Sequence, residues 1–243
     1  MYKTFFKVFL LLGVVVYLIF ALVKFNRPDE SPVCQGLDIH ILDEQGTDFV
    51  NENEVRELLA NHKIFPEGQL LEQVNLAQLE SLLVASPYIN QALCYKTAQH
   101  TIMMQITPRV PVLHVLNTAG EDFYIDNCGG TMPRGHHAID LIVMTGDINR
   151  KAAGKRYAPM GKMLANDNFW QKQIQEIHVT PDGELEITPR VGNHTILLGD
   201  TAHLADKLSR MKTFYTEGLN KAGWNRYKTI SLKFDRQVVC TRR

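Results

Sequence analysis

The sequence predicts an α+β protein: an N-terminal transmembrane helix, then a β-α-α-β-β unit, then a mostly antiparallel β domain containing one long helix. Three observations predict it. Residues 8–23 form a run of sixteen without a charge. Two short amphipathic segments with matching helix-start signals lie between strand-like alternations in 37–106. Beyond residue 111, period-two runs broken by Gly, Asn and Pro dominate, with a single 3.6-period stripe among them.

A chain of 243 residues, less the first thirty, has room for two compact domains of about 100 residues each. Apolar residues make up 45% and charged residues 21%, an ordinary globular balance. Lys plus Arg equals Asp plus Glu at 26 each, so no global field draws nucleic acid, and none is expected as a partner. Cys34, Cys94, Cys128 and Cys240 form no CxxC pair, which removes the usual zinc and thioredoxin-like patterns. Cys94 and Cys240 sit in strand-like runs and read as buried free thiols, although an even count also permits disulfides in an oxidising compartment.

The apolar run VFLLLGVVVYLIFALV reaches, with Phe5, Phe6 and its flanks, the roughly 20 residues that cross a bilayer core. Lys24, Phe25, Asn26, Arg27 and Pro28 follow it and offer no small-x-small cleavage site, so an uncleaved anchor in the lipid bilayer is expected rather than a signal peptide. Lys3 and Lys7 before the run are matched by Lys24 and Arg27 after it. The positive-inside count is therefore tied, and the tiny N-terminal tail favours an inside start. This divides the chain into a cytoplasmic tail at 1–7, a transmembrane helix at 8–25, a linker at 26–36, a first domain at 37–108 and a β domain at 109–243.

In the first domain, residues 37–42 (LDIHIL) alternate as a half-buried strand. Asn51 with Glu54, and Asn75 with Gln78, each have the spacing of a capping box, with staples available from Val50 to Val55 and from Val74 to Leu79. Val55, Leu58 and Leu59 share one helical face; Leu76, Leu79 and Leu83 share another. Pro87 ends the second helix, then Ile89, Gln91, Leu93 and Tyr95 alternate, the chain turns near 98–100, and Ile102, Met104 and Ile106 return on one face. Two helices on one side of a three-stranded sheet satisfy that order.

Past Pro108 and Pro111, strands are expected at 112–116, 123–126 and 141–144, then a hairpin of 174–179 with 184–188 across Thr-Pro-Asp-Gly, then 195–198. Leu204, Leu208, Met211, Tyr215 and Leu219 form the stripe of the long helix, and Gly223 follows close to its end. Runs at 229–234 and 237–241 close the chain. A last strand with no later partner is a candidate sheet edge open to another chain, or else it pairs inside the sheet through Val238 and Val239.

Catalytic and cofactor motifs are missing. GTMPRGHH at 130–137 has phosphate-loop glycine spacing but carries His136 and His137 where Lys and Ser or Thr belong, and no third ligand stands at metal spacing from that pair. No HExxH, GxSxG or Gly-rich dinucleotide turn occurs. The chain is therefore read as a non-enzyme without cofactor or metal. The alternative is a periplasmic envelope hydrolase using His136 or His137 with a nearby carboxylate.

The order of these elements resembles the bacterial cell-division family FtsQ/DivIB, in its Bacteroidetes form. The resemblance rests on Leu79-Glu80, Pro87-Tyr88-Ile89 and Ala92 in a POTRA-like first domain, and on Arg109-Val110-Pro111 at the junction. Tyr124-Ile125-Asp126, Gly129, Met132-Pro133, Val191-Gly192, Lys207-Leu208, Phe214-Tyr215, Gly223-Trp224, Tyr227 and Gln237-Val238-Val239-Cys240 carry it through the β domain. Pro108 departs from the Glu or Gln common before that junction, and the last hairpin is shorter than in proteobacterial members. The resemblance implies a single-pass type II inner-membrane scaffold, with its bulk in the periplasm and concentrated at the septum. Such a scaffold binds FtsB- and FtsL-like proteins and helps control septal peptidoglycan synthesis, its POTRA-like domain contacting other septal proteins. It also implies that an FtsB-type segment adds as a strand at Lys233, Phe234, Asp235, Arg236, Gln237, Val238 and Val239. A further alternative, another POTRA-containing envelope assembly factor, lacks the many alternating segments of a membrane barrel in this chain.

Overall fold

The computed structural model describes residues 2–25, 32–44, 46, 48–135 and 139–243. Helix α1 (Tyr2–Phe25) contains the apolar run, and its large apolar side chains from Phe9 to Val23 are exposed. Among the described residues no helix is long and apolar enough to cross a membrane. The consecutive described side chains of α1 run from 9 to 24, about 24 Å of rise. The hydrocarbon core of a bilayer is about 30 Å thick.

The first unit contains β1 (Gly36–Ile41), α2 (Glu52–Asn61), α3 (Leu76–Val84), β2 (Ile89–Lys96) and β3 (Thr101–Pro108), in sheet order β1-β3-β2. Asn51 and Glu54 close a reciprocal capping box on α2, and Asn75 accepts from the Gln78 amide at the start of α3. The central strand β3 alternates strictly, burying Ile102, Met104 and Ile106 against Val55, Leu59, Leu79 and Leu83 of the helices.

The second unit opens with β4 (Pro111–Asn117), β5 (Asp122–Asp126), β6 (Thr131–Pro133) and β7 (Val143–Gly146). Helices α4 (Arg150–Ala165) and α5 (Asn168–Gln173) lead to β8 (Ile174–Val179), β9 (Leu185–Pro189) and β10 (Thr195–Gly199). Helix α6 (Leu204–Thr213) continues through a π-helical turn (Phe214–Leu219) into α7 (Asn220–Ala222), and β11 (Tyr227–Ser231) and β12 (Val239–Arg242) finish the chain. The nine strands form one sheet in the order β12-β11-β10-β9-β8-β7-β4-β5-β6. Five neighbouring pairs are antiparallel, while β4 with β7, β7 with β8 and β10 with β11 are parallel. Two of the parallel pairs are joined by helical crossovers, the connection that parallel neighbours require.

Sequence periodicity misses α4 because its buried face is built mostly of small residues. Ala153, Gly154, Ala158 and Gly161 are buried beside Tyr157, Met160 and Leu164, and Pro159 stands inside the helix. A Cβ on Gly154 would lie 2.0 Å from the Gly129 carbonyl oxygen, so the helix rests almost directly on the β5–β6 turn. The strand expected at 141–144 lies two residues later, and β6 was unmarked by any run of alternation. The long helix ends at Gly223, whose φ of 95° terminates it.

The two units meet on one face of the β4–β5–β6 corner. Tyr124 and Met132 of the second unit belong to the first unit's core, where Phe49 stacks on Tyr88 at 5.7 Å between ring centroids and tilts against Tyr124 at 5.8 Å. Arg109 joins the units: its Nη1 donates to Asp126 Oδ2 at 2.8 Å and its Nε to the Ile89 carbonyl at 3.3 Å.

Candidate docking edge

An edge strand exposes a row of unpaired backbone donors and acceptors that can template another strand. Among the described residues, two sheets provide four edges, β1, β2, β6 and β12. On β2, the Cys94 amide that points away from β3 donates to Glu80 Oε1 of α3 at 2.8 Å. Cys94 is itself buried, and that burial, with Glu80 beside it, pushes its thiol up to about 12. On β1, the Leu37 amide donates to Glu67 Oε1 at 3.2 Å and the Leu37 carbonyl accepts from Arg56 Nη2 at 3.3 Å. Strand β6 has three residues, buries Met132 in the domain junction and ends at Pro133, which has no amide donor.

The fourth edge differs. Strand β12 pairs with β11 through Ser231 with Val239, Ile230 with Cys240 and Thr229 with Thr241, and the Arg243 amide donates to the Arg226 carbonyl at 3.3 Å. Backbone direction alternates along a strand, so the main-chain groups of Val239, Thr241 and Arg243 turn toward β11 and those of Cys240 and Arg242 turn away from the sheet. Among the described residues, no side chain hydrogen-bonds to these outward groups. The side chains alternate as well: Cys240 packs on the helix-side core and burial raises its thiol, whereas Val239 is 42% exposed.

Six of the seven residues that the resemblance assigns to partner contact, Lys233, Phe234, Asp235, Arg236, Gln237 and Val238, lie in the connector between β11 and β12, and only Val239 lies in the strand. Phe234 stands 55% exposed, Lys233 pairs with Glu184 at the entry of β9, and Arg236 takes a left-handed φ of 56°. The sequence set stops one residue before the first outward-facing amide, because the phase of that alternation is set by the register with β11.

Helix α6 fixes the connector from beneath. Arg210 Nη1 donates to the carbonyls of Phe234, at 2.9 Å, and Gln237, while Nη2 reaches the Leu232 carbonyl at 3.4 Å. Its Nε is held by Asp206 Oδ2 at 3.0 Å, and the side chain is 15% exposed. One turn earlier, Lys207 Nζ donates to the carbonyl and carboxylate of Asp200 at the exit of β10, and this ammonium holds the Asp200 carboxyl below its ordinary value. Arg210 was not singled out from sequence, since it lies beside the apolar stripe and its targets are 22 to 27 residues away.

His136 and His137 lie outside the described residues. Among the described residues no group of three or more His, Cys, Asp or Glu side chains could hold a metal ion, and all four cysteines are free.

Residues 110–241 match the family model FtsQ/DivIB, C-terminal related. The chain belongs to the FtsQ/DivIB family. Its FtsQ/DivIB-related region runs from β4 to Thr241 of β12 and so takes in the docking edge, and residues 32–107 match a POTRA-like domain. FtsQ/DivIB proteins are non-enzymatic cell-division scaffolds, generally anchored in a membrane. No curated protein matches the chain.

Proposed function

We propose that this chain is a membrane-tethered division scaffold that receives a strand from an FtsB-like partner along the outer edge of β12. The observation that carries the proposal lies at β12: among the described residues no side chain bonds the outward Cys240 and Arg242 backbone, whereas Glu67 and Arg56 hold one outward position on β1, Glu80 holds one on β2, and β6 ends at Pro133. A strand added there gains main-chain hydrogen bonds, and the exposed Phe234 and Val239 offer it apolar contact. The scaffold works with FtsB- and FtsL-like proteins to control septal peptidoglycan synthesis, and its POTRA-like unit contacts other septal proteins. The uncharged apolar run at 8–23, with its flanks, serves as the anchor of a single-pass type II inner-membrane protein with its bulk in the periplasm.

The test is photo-crosslinking in living cells from position 242 of the full chain, followed by identification of what is captured. Cys240→Pro deletes an outward amide without touching the pairing to β11, and proline is tolerated at a free edge. Capture of the FtsB-like protein is expected to fall about tenfold with the thermal melt retained, whereas Val239→Pro removes an inward amide and frays β12 itself. Undiminished capture by Cys240→Pro rules out strand addition at this edge.

A further inference from the structure

The docking edge is held in place by a residue outside it. Connector 232–238 has no regular backbone pairing to β11 of its own, and a left-handed residue, Arg236, sits at its tip. Three of its carbonyls, at Leu232, Phe234 and Gln237, converge on the single guanidinium of Arg210, which Asp206 orients from one turn back on α6. The fork geometry of a guanidinium suits this arrangement, because it places several donors in one plane at fixed angles. Gln237 lies two residues before β12, so its bond to Arg210 fixes the chain where the strand begins. The outward backbone of Cys240 and Arg242 is left for another chain.

We propose that Arg210 is the positioning residue of the docking edge, its guanidinium fixing the connector so that β12 is presented as a straight, ordered template before a partner strand arrives. The inference rests on strand addition at β12. Ordering the edge in advance removes entropy that the connector and β12 would otherwise lose on docking. Asp206 supports it by fixing the fork's orientation, and Lys207 secures the other end of the crossover through Asp200, so α6 braces both the exit of β10 and the entry of β12.

Hydrogen exchange and in-cell crosslinking on the full chain test this together, with Arg210→Gln and Arg210→Lys. Arg210→Gln is expected to speed exchange about tenfold at the Val239 and Thr241 amides while core amides on β3 and β8 keep wild-type protection. Capture of the FtsB-like partner from position 242 falls at least about fivefold. Arg210→Lys behaves like the Gln variant, because an ammonium keeps the charge but cannot hold three carbonyls in one plane. Unchanged exchange at 239 and 241, full rescue by Lys, or acceleration spread evenly over the whole domain each overturn the positioning role. If wild-type chain captures no partner from position 242 while the exchange pattern follows expectation, strand addition fails instead, and Arg210 orders an edge without that use.

Discussion

Removing the Asp126 carboxylate tests what joins the two units. Asp126 is 1% exposed and accepts three hydrogen bonds: from the Cys128 amide at 2.9 Å, from the Gly130 amide at 2.7 Å and from Arg109 Nη1 at 2.8 Å. Alanine at 126 leaves both amides without an acceptor, at about 1 kcal/mol each. It also strips the guanidinium, but the Arg109 side chain is 26% exposed and recovers some hydration, so its share is discounted to about 1 kcal/mol. The expected loss is about 3 kcal/mol of unfolding free energy. Asparagine keeps an oxygen for the two amides but places an NH2 where Oδ2 accepted from Arg109, so the Arg109 bond goes with the charge and Asp126→Asn is expected to cost about 1 kcal/mol. Urea titration of the full chain in detergent, followed by the fluorescence of Trp170 and Trp224, measures both. An Ala variant within about 1 kcal/mol of wild type, or an Asn variant as damaged as Ala, refutes the assignment of the loss to three converging donors.

Two further outcomes follow from packing and burial. Gly154→Ala puts a methyl 2.0 Å from the Gly129 carbonyl oxygen, which is backbone and cannot swing aside, so α4 must lift; a loss of about 2 kcal/mol is expected by thermal melting, and an unchanged melt shows that α4 slides freely. His194 is buried, with Nε2 2.8 Å from Tyr215 Oη, and desolvation holds its pKa below 6.5 against the opposing pull of the Trp224 backbone. The folded state therefore favours the neutral ring. Its contribution is complete above the unfolded value near 6.5 and is lost as pH falls from there through the lower folded value. His194→Phe should flatten the fall in melting temperature as pH drops below about 6.5, and an equal slope in both proteins removes His194 as the cause.

Local chemistry was legible where a single residue decides it. Asn51 with Glu54 made the capping box that the spacing announced, Ile102, Met104 and Ile106 lined one face of β3, and Gly223 ended the helix that Leu204 begins. Helix α4 was not legible, because Gly154 and Gly161 face the sheet where a stripe of large residues was sought. Close approach of two backbones leaves no apolar signature, only an absence of bulk. The parallel pairing of β7 with β8 and of β10 with β11 was likewise hidden, since strand direction depends on which crossover packs where.

The candidate site divides in the same way. The sequence by itself determined that the chain ends in an alternating run after a long amphipathic helix, and its residue order carried the family. The tertiary structure decided the rest: β12 is an edge, Cys240 and Arg242 turn their backbone outward, and Glu80, Glu67 and Arg56 close competing positions on the other sheet. Periodicity is a property of one segment, whereas an edge is defined by which neighbour a strand lacks, and that depends on contacts between residues far apart in the chain.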